Sequence, residues 1–455
     1  MLKWYLLICL DTKNGKNWYL GINNKHKITN MDELLKKSLL KQKEDKDRIL
    51  ARSYIDREEN KNAEKYINNN LVKIIVGPRR CGKSTFAFLL LKERNIKFAY
   101  ANLEDENLIK GIAGNNDDLT EALQAIYGDV EYIIFDEIQN LDMWEKYLNR
   151  LQIRDYKVIA TGSSAKMLSS EIATALTGRR VVIELLPFSF EESLNYKYKP
   201  EEIDLLDKTK ELREYMEKGG FPETYKEDVS TYQYLNNLLP ATITNDVFFR
   251  YGAKIRNISK IKVLADILIN NCCHEISYRR ITSILKMKSH KTIEKYTEYL
   301  LGTFLFYSLS KYSHKHSERV SSGKKVYLVD NGFLSSRNLS SSSDLGVFFE
   351  NLIFVELLRR RDNEDYVLFY YKTRNSKEVD FYLKNFNAKN SKLIQVCYSV
   401  IDPKTEQRET SALLEASQEL KCDDLTIINW DIEKIEVKNG KTIKYIPAWK
   451  WLLNQ

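Results

Sequence analysis

The chain has 455 residues, so at roughly 100–200 residues per domain it should hold two to four domains. Hydrophobic residues make up 43% of it and charged residues 29%, which supplies buried cores and excludes a largely disordered protein. Its net charge of +8 is small for this length, so a nucleic-acid surface is permitted and not required.

The start of the chain carries no sign of a membrane anchor or an export signal. Its apolar run, Trp4–Leu10, is far shorter than the ~20 residues that a membrane-spanning helix needs. Asp11, Thr12 and Lys13 follow directly, so the small-residue cleavage site of a signal peptide is missing. The six cysteines are scattered without a CxxC pair, which is typical of reduced thiols. We therefore expect a cytoplasmic protein without a membrane partner.

Residues 1–70 predict an appendage followed by helices. Asn14-Gly15 separates the apolar runs Trp4–Leu10 and Trp18–Ile22, and this dipeptide favours a β-hairpin. Alternatively, residues 1–30 do not belong to the native product, because Met31 begins a more ordinary helical segment. Residues 31–70 combine Lys, Glu, Asp and Leu at helical spacing, which predicts a solvated helical collar.

Short β-rich runs then alternate with helices, namely LVKIIV, KFAYANL, EYIIFDE and YKVIATG. This alternation predicts an α/β fold over residues 71–186, with a parallel sheet flanked by helices. The chain is mainly helical from there to about Tyr312, and we divide it into a lid at 187–255 and a second helical unit at 256–320. Strands return from Val326 onwards, so residues 325–455 are expected to form a separate α/β domain.

The strongest motif is GPRRCGKST, which fits GxxxxGK[ST] and stands between a strand and a helix. Glycines let such a loop wrap a phosphate, and main-chain N–H groups at the helix N-terminus supply a positive field. Lys83 would reach the β- and γ-phosphates, and Ser84 would be a ligand of Mg²⁺. Pro78 has no N–H, so the later amides must form the cradle. The predicted ATP site consists of Gly77, Pro78, Arg79, Arg80, Cys81, Gly82, Lys83, Ser84 and Thr85.

A second strand ends in two acids, Asp136 and Glu137, after the apolar run YIIF. At the carboxyl end of a strand, Asp136 would lie beside the Mg²⁺ shell, and Glu137 would orient or deprotonate the attacking water. Two acids that close a strand are often only a solvated turn. The P-loop about fifty residues earlier favours the catalytic interpretation.

Two further residues are candidates, each with a simpler structural alternative. Thr161 follows the strand Lys157–Ala160 and could sense the γ-phosphate, or it could cap the next helix through a serine/threonine turn. Arg179 could act as an arginine finger on the ATP of a neighbouring subunit, or it could be an ordinary surface arginine.

The order of these motifs resembles the AAA-type ATPases of archaea and bacteria that carry a C-terminal domain related to restriction endonucleases. The resemblance rests on GPRRCGKST, FDEIQNLDMWEKYLNRL, ATGSSAKML, LTGRR, LPFSFEE and GGFPET, and it covers the chain from about Met31 onwards. It implies an AAA-type P-loop core, a helical lid, a winged helix and an endonuclease-like domain of the PD-(D/E)XK type. It also implies that the nucleotide site includes Gly77–Ser84, Asp136, Glu137, Thr161 and Arg179.

The helix pattern over residues 258–310 resembles a winged helix, in which Ser289 is expected to cap the second helix of a helix-turn-helix. The exposed start of that helix could face a phosphate backbone or a major groove through Lys288, His290, Lys291, Thr292 and Lys295. The alternative is a winged helix that packs against the lid. DNA or another nucleic acid is therefore a candidate partner.

The C-terminal domain offers an incomplete nuclease-like site. In the layout of the resembled family, this site is formed by Glu350, Asp380, Gln395 and Cys397. A working site would hold Mg²⁺ with two or three carboxylates and keep a lysine near the attacking water. Gln395 occupies the position of the second acid, and Cys397 occupies the position of the lysine. We therefore expect the chemistry of this site to be impaired or redirected. Glu378 is expected to point to the opposite strand face.

These observations favour an ATP- and Mg²⁺-dependent ATPase whose nucleotide state controls the winged-helix and endonuclease-like domains. It would act on nucleic acid or as a signalling switch. One alternative is an ATP-regulated DNA nuclease, which would need Asp380 for strand cleavage. Another is a nucleotide-dependent protein-interaction scaffold. A homo-oligomer is compatible with all three.

Overall fold

The computed structural model describes residues 33–455 except 113, 169–175, 177, 249–250, 252–254, 256, 338–344 and 386–390. The hairpin expected around Asn14-Gly15 lies outside the described residues. The order of helices and strands over residues 71–162 agrees with the expected alternation.

The described helices are α1 (Glu33–Leu50), α2 (Asn60–Ile67), α3 (Lys83–Lys92), α4 (Glu106–Gly111), α5 (Asn116–Tyr127), α6 (Trp144–Ile153), α7 (Phe190–Lys197), α8 (Pro200–Ile203), α9 (Lys208–Lys218), α10 (Thr231–Thr242), α11 (Ile258–Asn270), α12 (Tyr278–Ile284), α13 (His290–Leu301), α14 (His316–Ser321), α15 (Gly332–Ser335), α16 (Leu345–Glu364), α17 (Pro403–Leu420) and α18 (Ala448–Leu452). The strands are β1 (Val72–Val76), β2 (Phe98–Asn102), β3 (Tyr132–Asp136), β4 (Lys157–Gly162), β5 (Arg180–Glu184), β6 (Phe306–Ser310), β7 (Lys324–Leu328), β8 (Tyr366–Lys372), β9 (Glu378–Asn385), β10 (Lys392–Cys397), β11 (Asp424–Asn429), β12 (Lys434–Lys438) and β13 (Lys441–Pro447). A π-helical turn, Ile243–Phe248, follows α10.

The first sheet is parallel and has the strand order β2-β3-β4-β1-β5. Strands β1 and β3 are buried along their whole length because helices cover both faces of the sheet. Ile74 and Ile133 face α1, α5 and α6, whereas Ile75 and Ile134 face α2 and α3. The predicted α/β sheet is confirmed, and β5 adds an edge strand that the sequence analysis did not predict. The carboxyl ends of β1, β4 and β3 lie side by side.

Helix α1 belongs to the core, so the expectation of a solvated collar is wrong for this helix. Leu35 and Leu39 are buried among the sheet-facing residues. The Gln42 amide accepts from the Asn102 main-chain N–H at 2.7 Å and donates to the Asn102 carbonyl at 3.1 Å. The Gln42 amide thus satisfies both main-chain groups of Asn102, the last residue of β2. The buried leucines of α1 were not recognised in the sequence because most of the surrounding residues are charged.

The middle of the chain contains α11, α12 and α13, followed by β6 and β7, which pair antiparallel. Ser289 stands at the N-cap of α13, but its side chain makes no capping hydrogen bond, contrary to expectation. Strand β7 lies beyond residue 320, where this helical unit was expected to end. Its Lys325 forms an ion pair with Glu350 on α16.

The C-terminal sheet is mixed and has the order β12-β13-β11-β10-β9-β8. Strands β10, β11 and β13 are parallel, whereas β8, β9 and β10 are antiparallel neighbours. Ile394 belongs to the face covered by α16, and Leu393 to the face covered by α17.

One continuous apolar core joins the lid, the middle helices and α16. Its members include Leu212, Leu264, Tyr327 and Ile353, all of them buried. The lid, the middle helices and α16 therefore share one hydrophobic core. Among the described helices, none combines the length and the apolar character that a membrane span requires.

Candidate nucleotide-binding site

The P-loop leaves β1 through a glycine that no other residue could replace without a clash. Gly77 has φ +150°, and a Cβ on it would lie 2.1 Å from the Leu185 carbonyl oxygen. Gly82, with φ +99°, is the last residue before α3. Both glycines of the motif are thus required by the path of the chain, and Lys83 begins the helix.

The hydroxyl of the P-loop serine meets the predicted acid of β3. Ser84 Oγ donates to Asp136 Oδ2 at 2.6 Å, and the Tyr100 hydroxyl donates to the same oxygen at 3.1 Å. Thr161 Oγ1 donates to Asp136 Oδ1. Asp136 is buried, so these three hydroxyls satisfy a carboxylate that has little access to water.

The P-loop lysine lies over its own loop and close to the second acid. Lys83 Nζ donates to the carbonyls of Pro78 at 2.9 Å and Gly77 at 3.3 Å, and it lies 3.7 Å from Glu137 Oε1. The side chain is only 5% exposed, so its charge is weakly screened. A phosphate that binds in the loop can take over these contacts.

Glu137 is held in a strained backbone conformation at the carboxyl end of β3. Its φ of +50° is uncommon for a residue other than glycine. Its main-chain N–H donates to Thr161 Oγ1 at 3.1 Å, and its Oε2 accepts from Ser163 Oγ at 3.0 Å and from Gln139. Thr161 therefore orients both acids through one hydroxyl.

The two neighbouring acids have pKa values that are shifted in opposite directions. Burial, with Glu137 beside it, raises the pKa of Asp136 above its ordinary value. Burial alone would raise the pKa of Glu137 too, but Lys83 and Arg79 outweigh it and hold that pKa below its ordinary value. Glu137 is thus kept ionised, as a group that accepts a proton or orients a water must be.

A cavity of about 560 Å³ opens beside the P-loop, within the size range of small-molecule sites. Tyr54 and Ile55 line one part of it, and Phe188, Tyr196 and Pro222 line another. The segment before β1 was not expected to carry chemistry, because nothing in its composition marks it as part of a site.

Arg79 joins the P-loop to the lid. Its Nε donates to both oxygens of Asp246, at 3.0 and 2.9 Å, and its Nη1 donates to Glu104 Oε1 at 2.6 Å. Asp246 also accepts from Ser163 at 3.2 Å. The motif predicted Arg79 as a loop residue, but it gave no indication of this partner in the π-helical turn.

Arg179 lies away from the P-loop of its own chain. Its Nη1 donates to Asn149 Oδ1 on α6 at 2.7 Å. The side chain is exposed, and it is not among the residues that line the cavity. A role towards the ATP of another copy stays a prediction.

Ser84 and Asp136 fit the expected Mg²⁺. Both offer oxygen atoms, which Mg²⁺ prefers, and this ion usually combines one or two protein ligands with waters and substrate phosphates. Within the described parts of the chain, no group of three or more His, Cys, Asp or Glu side chains is arranged to hold a metal alone.

The acids of the C-terminal domain gather around a lysine that the sequence analysis missed. Lys325 Nζ on β7 lies 3.0 Å from Glu350 Oε1 and 2.7 Å from Glu378 Oε1. Asp380 Oδ1 is 4.0 Å from the same nitrogen. Glu378 and Asp380 therefore share a face, and the expectation of opposite faces is wrong, because residues two apart on a strand point the same way. A lysine inside the apolar run KKVYLV was the available signal.

Gln395 and Cys397 have other partners. The Gln395 side chain donates to Glu409 Oε2 at 2.6 Å and accepts from the Asp380 N–H at 3.4 Å. Burial, with Glu409 nearby, raises the pKa of Cys397 to about 11, and its thiol donates to the Ser399 carbonyl at 3.0 Å. The thiol is therefore neutral near pH 7 and supplies no positive charge.

The predicted nucleic-acid residues lie on the surface. Lys291 and Lys295 are exposed and lie four residues apart on one face of α13. Lys288 is exposed too, but it precedes the helix. His290 is exposed as well, and Thr292 is half-buried.

Comparison with known proteins identifies the family to which this chain belongs. A model of an AAA domain matches residues 69–194, and two domains of unknown function, DUF8612 and DUF4143, match residues 209–343 and 345–451. The chain is 37% identical over 414 residues to the uncharacterized protein MJ1544 of Methanocaldococcus jannaschii, covering 87% of this chain and 91% of that protein. The chain belongs to the family of MJ1544. Its AAA-type P-loop ATPase domain, expected from the motifs, is confirmed.

Two further likenesses are more distant. An uncharacterized protein of Haemophilus influenzae is 28% identical over 396 residues, which cover 84% of this chain and 94% of that protein. The solved structure of a Walker-type ATPase of Pyrococcus abyssi matches with 17% identity and a TM-score of 0.42, over 63% of this chain and 96% of that one.

The lysine of the C-terminal cluster generates a stability prediction. Lys325→Met should lower the free energy of unfolding by roughly 3 kcal/mol, because it leaves the buried Asp380 and the partly buried Glu350 and Glu378 without their cation. Lys324→Met, on the exposed neighbouring residue, should change it little. Urea unfolding of both variants measures the difference.

The loss of unfolding free energy caused by Lys325→Met should become smaller as the pH falls. Burial, with Glu350 nearby, raises the pKa of Asp380 well above its ordinary value, so the folded state binds protons more readily than the unfolded chain. Acid therefore stabilises the Lys325→Met variant relative to neutral pH. Equal stability of the two variants at neutral pH would contradict the ion-pair interpretation.

Proposed function

We propose that this chain binds ATP with Mg²⁺ and hydrolyses it. The observation that carries the proposal is the convergence of Lys83, Ser84, Asp136 and Glu137, which come from two separate motifs and meet within hydrogen-bond or ion-pair distance. This is the set of groups that phosphoryl transfer to water requires, namely a cation, a metal ligand and a carboxylate.

Each residue has a role that follows from its contacts. Lys83 exchanges the carbonyls of Gly77 and Pro78 for phosphate oxygens, and Ser84 and Asp136 would hold Mg²⁺. That ion, when bound, would neutralise charge on the phosphate oxygens. Glu137, kept ionised by its neighbours, orients a water towards the γ-phosphate and accepts its proton.

Thr161 is proposed as a positioning residue for the two acids. Its hydroxyl bonds both Asp136 and the N–H of Glu137, so it links the nucleotide site to the end of β4. A nucleotide that binds beside Asp136 would change this hydrogen bond, which makes Thr161 a sensor of the nucleotide state. Arg179 would add an arginine finger only in an assembly of several copies.

The nucleotide state is further proposed to control the helical and C-terminal regions. Support comes from the lid contact of Arg79 with Asp246, which attaches the P-loop to the π-helical turn. Loss of phosphate contacts would shift the P-loop, and with it the ion pair between Arg79 and the fully buried Asp246. The lid therefore has a physical reason to respond to ATP.

Cleavage of DNA by the C-terminal domain is not favoured. The arrangement α16-β8-β9-β10-α17-β11 is compatible with the endonuclease-like layout of the resembled family, which stays a prediction. However, Lys325 neutralises Glu350 and Glu378, and Gln395 is bonded to Glu409. These contacts support an ion-pair role for the acids, with impaired or redirected chemistry.

A second candidate function is contact with nucleic acid through α13. Exposed Lys291 and Lys295 lie on one face of this helix, and exposed Lys288 precedes its start. Arg279 and Arg280 are exposed on the preceding helix. Such a basic surface suits a phosphate backbone and carries no sequence information by itself. The winged-helix assignment of this region stays part of the proposal.

Two substitutions separate ATP binding from hydrolysis. Lys83→Ala should weaken ATP binding at least about tenfold, because it removes the buried cation aimed at the phosphates. Glu137→Gln should bind ATP normally but hydrolyse it about 100-fold more slowly, because an amide accepts no proton. A fluorescent ATP analogue and phosphate release provide the two measurements.

Matched controls lie on the same elements. Lys92→Ala changes an exposed lysine at the end of α3, and Glu131→Gln changes an exposed acid before β3. Both controls should behave as the parent protein. Unchanged ATP affinity in Lys83→Ala, or unchanged turnover in Glu137→Gln, would refute the assigned role.

The nucleic-acid proposal is tested by the salt dependence of binding. Changing Lys288, Lys291 and Lys295 together to Gln should weaken binding to DNA and reduce the slope of log K against log salt by about 0.9 for each lost phosphate contact. The control changes three exposed lysines of the C-terminal domain, Lys404, Lys421 and Lys444. If the triple variant at 288, 291 and 295 keeps the salt slope of the parent protein, these lysines do not contact phosphates. Helix α13 would then serve to pack against other parts of the protein.

A further inference from the structure

Arg57 is a buried arginine that binds the main chain of the P-loop. Its Nη1 donates to the Cys81 carbonyl at 3.1 Å and its Nη2 to the Leu186 carbonyl at 2.5 Å. Its Nε donates to Glu192 Oε1 at 2.9 Å. Every nitrogen of the guanidinium therefore has a protein acceptor, so Arg57 holds the loop without needing a phosphate as a partner.

The contact with Cys81 fixes one peptide plane of the loop. In a planar trans peptide, the carbonyl and the following N–H point in opposite directions. A Cys81 carbonyl aimed at Arg57 thus turns the Gly82 N–H away from Arg57. Main-chain N–H groups of this loop are the groups that cradle phosphate. Arg57 therefore sets the direction of an amide that the proposed ATP site uses.

Arg57 is linked in turn to an arginine of the C-terminal region. Its Nη2 lies 3.7 Å from Glu59 Oε2, and Arg359 Nη1 on α16 donates to Glu59 Oε1 at 2.7 Å. Arg359 Nη2 also donates to the Pro187 carbonyl at 2.7 Å, next to the Leu186 carbonyl that Arg57 binds. The path from α16 to the P-loop is therefore continuous.

All three side chains of this path are less than one-tenth exposed. Burial alone would lower the pKa of Arg359, but Glu59 and Glu192 outweigh it and raise that pKa above its ordinary value. Arg359 is therefore charged at any pH the protein meets. Removing one buried partner leaves the others uncompensated, so the effect of a substitution should pass along the path.

We propose that Arg359 is a positioning residue of the ATP site, so that α16 completes the P-loop through Glu59 and Arg57. The inference rests on the proposed ATPase function and extends it to the region that matches DUF4143. If α16 moves away, Glu59 is released and Arg57 is less firmly held on the Cys81 carbonyl. Undocking of α16 therefore weakens ATP binding, and by linkage ATP binding favours the docked helix by the same factor.

The test compares Arg359→Met with Arg360→Met in steady-state ATP hydrolysis by the full chain. Arg360 is the next residue of α16 and shares the partner Glu356 with Arg359. Its guanidinium lies over the Trp451 ring, whereas that of Arg359 reaches Glu59. Arg359→Met should raise the KM for ATP about tenfold, the size of one lost hydrogen bond to a charged group, with a smaller change in kcat. Arg360→Met should keep the parental KM. Arg359→Lys should recover part of the loss, because the ammonium keeps the charge without the two-pronged contact.

A double variant distinguishes a relay from a general loss of stability. If both arginines act through one path, Arg57→Met/Arg359→Met should have the same KM as Arg57→Met alone. Glu59→Gln cuts the path while preserving the shape of the side chain, and it should raise the KM even if Arg359→Met fails to fold.

Two results would overturn the inference. One is a parental KM in Glu59→Gln and in every folded Arg359 variant, and the other is an equal rise in KM in Arg360→Met. Both leave the proposed ATPase function intact, because the unmodified chain still hydrolyses ATP. An unmodified chain that neither binds nor hydrolyses ATP would instead overturn the proposed function itself.

Discussion

Each nitrogen of the buried Arg57 guanidinium has a protein acceptor, and the ion pairs around this arginine tie three regions of the chain together. Arg57 comes from the segment before β1, Glu192 from the first helix of the lid and Arg359 from α16. Separating them would leave charge in the interior, at a cost of several kcal/mol. The P-loop touches this cluster through the Cys81 carbonyl, so the site cannot be understood from its motif alone.

Helix α16 contacts charged partners near both of its ends. Glu350 meets Lys325 beside the C-terminal sheet, and Arg359 meets Glu59 beside the P-loop. Nine residues separate the two on one helix, a distance of about 13 Å. A rigid element with partners at both ends is a physical route by which a change in the loop can reach the acids of the last domain.

The nucleotide motifs were predictable because their residues are neighbours in the sequence. Lys83 and Ser84 share one loop, and Asp136 and Glu137 close one strand. The pairs that hold the regions together were not predictable, because partners such as Lys325 and Glu378 come from different strands and no local period marks them. The expectation that Glu378 and Asp380 lie on opposite strand faces was wrong, because strand alternation was applied incorrectly. The winged-helix and endonuclease-like assignments stay predictions.

Hydrogen exchange of the α16 amides tests most directly whether the ATP site and the C-terminal region act as one unit. The measurement compares the full-length Glu137→Gln protein with and without ATP and Mg²⁺, so that the nucleotide stays intact during labelling. The account predicts slower exchange in α16 around Arg359 together with the P-loop when ATP is bound. Protection confined to the P-loop and its flanking elements, with unchanged exchange in α16, would contradict it.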